Sequence, residues 1–96
     1  MNPARGEAQV QVGGERVRLC LTLGALAEIE SSLEVEGFQA LADRLRQLTT
    51  ADLIEVLAAL MRGGGADPAT ATRMAEASTP QLAAEAVARA FEAATR

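Results

Sequence analysis

The chain has no histidine, lysine, tryptophan or tyrosine, and its 96 residues include one cysteine and two phenylalanines. Each absence removes a class of chemistry. Without histidine, and with Cys20 alone, neither a zinc tetrad nor a His-based triad can be assembled within one chain. A single cysteine forms no internal disulfide, which is compatible with a reducing compartment. All nine basic residues are arginine, a bias that fits a GC-rich genome, and thirteen acidic residues outweigh them to give a net charge of −4. A chain of that sign is repelled by a phosphate backbone, so nucleic acid is not an expected partner. No apolar run reaches the length of a membrane span, and the opening MNPARGEAQ lacks the hydrophobic stretch of a secretory signal. The expected partner is therefore not a membrane, and the expected location is the cytoplasm. The scarcity of aromatics also bears on the core. Hydrophobic residues make up 49% of the chain, but 21 of them are alanine, so the core must be thin and mostly aliphatic.

Ninety-six residues suffice for one domain, spanning 1–96, and the pattern along it predicts an α+β fold: an N-terminal β-hairpin followed by a compact bundle of four to five short α-helices. Residues 7–12 and 15–22 alternate in character across Gly13-Gly14, a pair able to take the positive φ angles of a tight hairpin turn. Pairing Val12 with Glu15 sets Val10 against Val17 and Ala8 against Leu19. Ala8, Val10, Val12, Val17, Leu19 and Leu21 then share one face, and Gln9, Gln11, Arg16 and Arg18 the wet one. A two-stranded ribbon is marginal alone, so the helical part, 23–96, or another chain must cover it.

Thr22 is placed to cap a first helix carrying Leu23, Leu26, Ile29 and Leu33 and ending before Gly37. Phe38, Leu41, Ala42, Leu45 and Leu48 form the stripe of a second, which stops at Thr49-Thr50. A threonine of that pair caps a third, whose Leu53, Ile54, Val56, Leu57, Leu60 and Met61 should make it the centre of the core. Gly63-Gly64-Gly65 ends it. Asp67-Pro68 and Thr79-Pro80 each put a capping side chain before a proline at the first helical position. They start a short, weakly apolar fourth helix and a fifth with Leu82, Ala86, Val87, Ala90 and Phe91. On the fifth, Glu85 and Arg89 have the spacing of a surface ion pair.

None of these elements carries a reactive set, so no catalytic, cofactor-binding or metal-binding residue is assigned and an enzyme is not expected. Cys20 falls by parity on the outer side of the hairpin and has no partner base. Glu28, Glu30, Glu34 and Glu36 do not match the spacing of a calcium loop and read as a solvated face. The triple glycine follows a helix rather than a strand and lacks a lysine, so it reads as a helix stop and flexible turn rather than a phosphate cradle. A helix-turn-helix reader would need a basic helix. The third helix is too apolar for that role, and the fifth mixes Arg89 with Glu85 and Glu92. The fifth helix is also rich in alanine with widely spaced large residues, so its docking should be weak and exchangeable for contact with another chain. That singles out Leu82, Val87 and Phe91 as candidate partner contacts, with the hairpin edge near Gln9 as a second surface.

The glycine-turn hairpin running into Leu19–Glu30, LCLTLGALAEIE, and the LMRGGG of Leu60–Gly65 together resemble the gene transfer agent family of small tail proteins. The resemblance covers nearly the whole chain. Its specific part is the strand-to-helix junction of Thr22, Leu23, Gly24, Ala25, Leu26 and Glu28. It implies a protein of gene transfer agents and related alphaproteobacterial prophages, serving as a tail assembly chaperone that binds the tape measure protein, the tail tube protein or both. A homo-oligomer is compatible with that role. The alternative is a structural tail component retained in the particle, and a small DNA-binding regulator is the weakest reading.

Overall fold

Gly13 and Gly14 take φ values of 58° and 84°, the successive left-handed conformations of a type I′ turn, and so close a hairpin whose twist suits its strands. The computed structural model describes residues 6–95. Strand β1 (Glu7–Val12) pairs antiparallel with β2 (Glu15–Cys20), and the register is the expected one: Val12 with Glu15, Val10 with Val17, Ala8 with Leu19. Ala8, Val10, Val12, Val17 and Leu19 are buried on one face, while Arg16 and Arg18 are exposed on the other.

Five helices follow: α1 (Leu23–Leu33), α2 (Phe38–Arg44) with a 3₁₀ turn at Leu45–Gln47, α3 (Thr50–Gly63), α4 (Pro68–Ala77) and α5 (Pro80–Ala94). Four of them start as the sequence predicts. The hydroxyls of Thr22, Thr49 and Thr79 and the carboxylate of Asp67 each accept a backbone N–H three residues on, satisfying a donor the first turn leaves open. Helix α1 stops at Leu33 because Glu34 turns left-handed, φ 57°, and returns its N–H to the helix carbonyls.

Helix α3 is the pillar. Every residue from Val56 to Met61 is buried, and the helix packs against β2, α1, α4 and α5. Leu57, Leu60, Met61, Val56, Ile29, Leu41 and Leu19 are its largest fully enclosed side chains and neighbours. Burying such a group stabilises by about 1.5–3 kcal/mol, so this small set dominates an otherwise alanine-lined core.

The structure corrects five expectations. Leu23 is not in the core: as the first residue of α1 it points outward and is 86% exposed, leaving Ala25, Ile29 and Leu33 to make the buried stripe. The second helix is not continuous to Leu48, because after Arg44 the chain tightens into the 3₁₀ turn and leaves Leu45 and Leu48 half-buried. Cys20 is buried rather than outward, because β2 ends where the α3 terminus closes against it. Helix α5 is not loosely docked. Its Ala83, Ala86, Val87, Ala90 and Ala93 are all buried, because small side chains let the helix lie close to α3 and β1. Glu85 and Arg89 form no ion pair; the pairs present among the described residues are Arg44–Asp52 and Arg62–Glu28, each at 2.6 Å.

The glycines ending α3 do more than stop it. A Cβ at Gly63 would overlap the Cys20 carbonyl oxygen, and one at Gly64 would overlap that of Arg18. The hydrogens that stand in their place therefore lie against the strand's carbonyls, the geometry of a Cα–H···O contact. Gly24 sits in α1, where an added Cβ would meet only the Thr22 hydroxyl, at 3.8 Å. Gly63→Ala and Gly64→Ala should each lower stability in urea unfolding by about 1–3 kcal/mol or more through overpacking. Gly24→Ala should be neutral or stabilising by up to about 1 kcal/mol.

Candidate partner-binding groove

Phe38 and Phe91, the chain's two aromatic residues, meet across the molecule with ring centroids 6.4 Å apart and planes tilted by 35°. This contact ties the start of α2 to the last turns of α5. On either side of it the surface opens into two adjoining hollows that share Leu45 and Phe91. The larger, about 340 Å³, is walled by Leu45, Leu48, Leu53, Val87 and Phe91, with Arg46 at its rim. The smaller, about 230 Å³, lies between Phe38, Leu41 and Leu45 on one side and Phe91, Glu92 and Thr95 on the other. Together they form a mostly apolar groove between the α2–3₁₀ segment and α5. Phe38 is 45% exposed at its edge.

One ionic clamp holds the groove's outer wall. Arg44 donates through one guanidinium nitrogen to the carbonyl of Gln47 and through the other to Oδ2 of Asp52, both at 2.6 Å. Oδ2 also accepts the Thr49 N–H at 3.2 Å, and the Thr49 hydroxyl accepts the Asp52 N–H at 3.1 Å, completing a capping box. The 3₁₀ turn carrying Leu45 is thereby fastened to the first turn of α3. The Thr49 N–H and the Arg44 guanidinium hold the Asp52 carboxyl below its ordinary pKa.

The predicted contact residues separate. Val87 and Phe91 both line the groove, though Val87 is 5% exposed and belongs to its floor. Leu82 is half-buried against the core and lies outside the groove's lining. Gln9 is elsewhere, on β1, beside Gln11, Arg16 and Arg89. Phe38, Leu45, Leu48 and Leu53, which the sequence pattern places in core stripes, complete the walls. The signal available for Phe38 is the rarity of aromatics, since Phe91 is the other one.

The remaining reactive groups stay apart. Burial, followed by the nearby Glu7 carboxylate, pushes the Cys20 thiol pKa up, with Arg18 opposing, so the thiolate is disfavoured. Glu30 is engaged locally, its carboxylate accepting the Gly37 N–H at 2.8 Å. Among the described residues no three His, Cys, Asp or Glu side chains gather as a metal site, and no helix is long and apolar enough to cross a membrane.

Hairpin, central helix and lateral groove define a small α+β domain with an open apolar cleft. This chain belongs to the family described as phage tail tube protein, GTA-gp10, which it matches over residues 5–95, and it is thus a phage tail-related protein. No curated protein and no solved structure matches it.

The capping clamp yields a pH prediction. A carboxyl with a depressed folded-state pKa contributes stability that is present above its unfolded value, about 3.9, and is lost as pH falls through the lower folded value. Asp52→Asn, which removes the charge that faces Arg44 and the Thr49 N–H, should therefore be less stable than the wild type at pH 7, by about 0.5–1 kcal/mol, the range of a partly exposed ion pair. In chemical denaturation at a series of pH values, that difference should shrink below about pH 4.

Proposed function

We propose that this protein is a tail assembly chaperone: it binds the tape measure protein, the tail tube protein or both in the cytoplasm while the tail is built, and catalyses no reaction. The observation that carries this reading is the apolar groove, considered with the family. A tape measure is a long, partly apolar helical chain that aggregates if left bare. An amphipathic helix laid into the groove would cover Leu48, Val87 and Phe91 with its apolar stripe and leave its polar face in water. The contact is small and rimmed by charge, so each copy would bind weakly and could be displaced as tube subunits arrive, many copies acting together along one chain. The net charge of −4 would keep a dense coat of such copies soluble.

The alternative, a subunit kept in the finished tail, draws support from the family's description as a tail tube protein. Against it stands the sheet. Two six-residue strands, one of them blocked at two carbonyls of its outer edge, are little from which to build a continuous tube wall.

Co-expression with the tape measure and tail tube proteins should yield a soluble complex containing this chain, and purified particles should be depleted of it. Phe38→Asp, at a half-exposed position, should reduce recovery of the complex at least about tenfold while leaving the circular dichroism near wild type and lowering stability by about 0.5–1.5 kcal/mol through the lost ring contact. Phe91→Asp should do the same with a larger loss of stability. Full recovery with both variants, or stoichiometric retention in particles, contradicts the chaperone reading.

A further inference from the structure

The two edges of the hairpin differ. The type I′ turn makes Val12 and Glu15 a pair that exchanges backbone hydrogen bonds, and alternation makes Val10–Val17 and Ala8–Leu19 the next such pairs. The N–H and C=O groups of Arg16, Arg18 and Cys20 thus point out of one edge, and those of Gln9 and Gln11 out of the other. The β2 edge is blocked at Arg18 and Cys20, where Gly64 and Gly63 of α3 press against the carbonyls, while at Arg16 it borders a hollow shared with Gly64, Gly65 and Ala66. The β1 edge is not blocked in this way. The sheet ends at β1, and among the described residues no backbone bond from a turn, loop or helix reaches Gln9 or Gln11. Helix α5 packs against β1, and an open hollow of about 340 Å³ on the hairpin's wet side is lined by Gln9, Val10, Gln11 and Arg16 together with Arg89 of α5.

Exposed edges are usually blunted by lysine, proline or a bulge. Strand β1, EAQVQV, has none of these, and its pairing with β2 is unbroken. We propose that β1 pairs antiparallel with β1 of a second copy of this chain, forming a four-stranded sheet about a two-fold axis. Two observations select a second copy over a foreign strand. The edge is self-complementary: with Gln9 opposite Gln9, Glu7 falls opposite Gln11 and Ala8 opposite Val10, so no like charges face each other and the apolar row continues across the axis. One open edge per chain closes the assembly at two copies rather than propagating it. The inference rests on the hairpin alone and does not depend on the groove or on the chaperone reading.

Sedimentation equilibrium of the full-length chain over a concentration series tests it. A monomer–dimer equilibrium is expected. Gln9→Lys, which sets like charges against each other at the axis, should raise the dissociation constant at least about tenfold while preserving the monomer's circular dichroism. Amide hydrogen exchange of the wild type gives a readout that needs no variant: Gln9 and Gln11 should be protected at high concentration and exchange freely on dilution. A monomer at every concentration overturns the proposal. So does a dimer indifferent to Gln9→Lys, or protection of both amides that persists in the dilute monomer.

Discussion

The close approach of α3's terminal backbone to strand β2 is the constraint on which the rest of the structure depends. Only glycine at 63 and 64 lets the helix reach the carbonyls of Arg18 and Cys20. That contact seats the hairpin on the one helix buried along six consecutive residues, and so converts a ribbon that could not stand alone into the roof of a core. It also makes the hairpin asymmetric, with β2 blocked at Arg18 and Cys20 and no such contact along β1. Alanine enters the same logic. With few large side chains to fill space, the domain gains density by bringing backbones together, at Gly63-Gly64 and along the alanine face of α5.

Against this rigid assembly the α2–3₁₀ segment is a lighter attachment. Leu41 is buried, but Phe38 stays half in solvent, and the segment is anchored chiefly by the Arg44–Asp52 clamp and the Phe38–Phe91 contact. The apolar groove exists because this segment stands off α5 rather than collapsing onto it. The cleft of this phage tail-related protein is thus framed by one ionic clamp and one ring contact.

The sequence was most legible where geometry is local. Gly13-Gly14 determined the hairpin and its register, and Thr22, Thr49, Asp67 and Thr79 announced the helix starts, because a turn or cap is decided by a few adjacent residues. Long-range contacts were less so. The triple glycine was recognisable as a stop but not as a seat for β2, since the strand it meets lies more than forty residues earlier. Cys20 and Leu23 each broke a periodicity because they sit at the junction of two elements, where the neighbour and not the period decides burial. Of the candidate surface, Val87 and Phe91 were identified on α5. The opposite wall was hidden inside a stripe that looked like ordinary core, since nothing local shows that Leu45 and Leu48 would fall on a 3₁₀ turn.

The contact between α3 and β2 can be observed directly by nuclear Overhauser spectroscopy on the isotope-labelled chain. Strong cross-peaks from the α-protons of Gly63 and Gly64 to backbone protons of residues 18–20 are the result this account predicts. Their absence in a folded sample would contradict it, and with it the blocked β2 carbonyls, the seated hairpin and the order of the core.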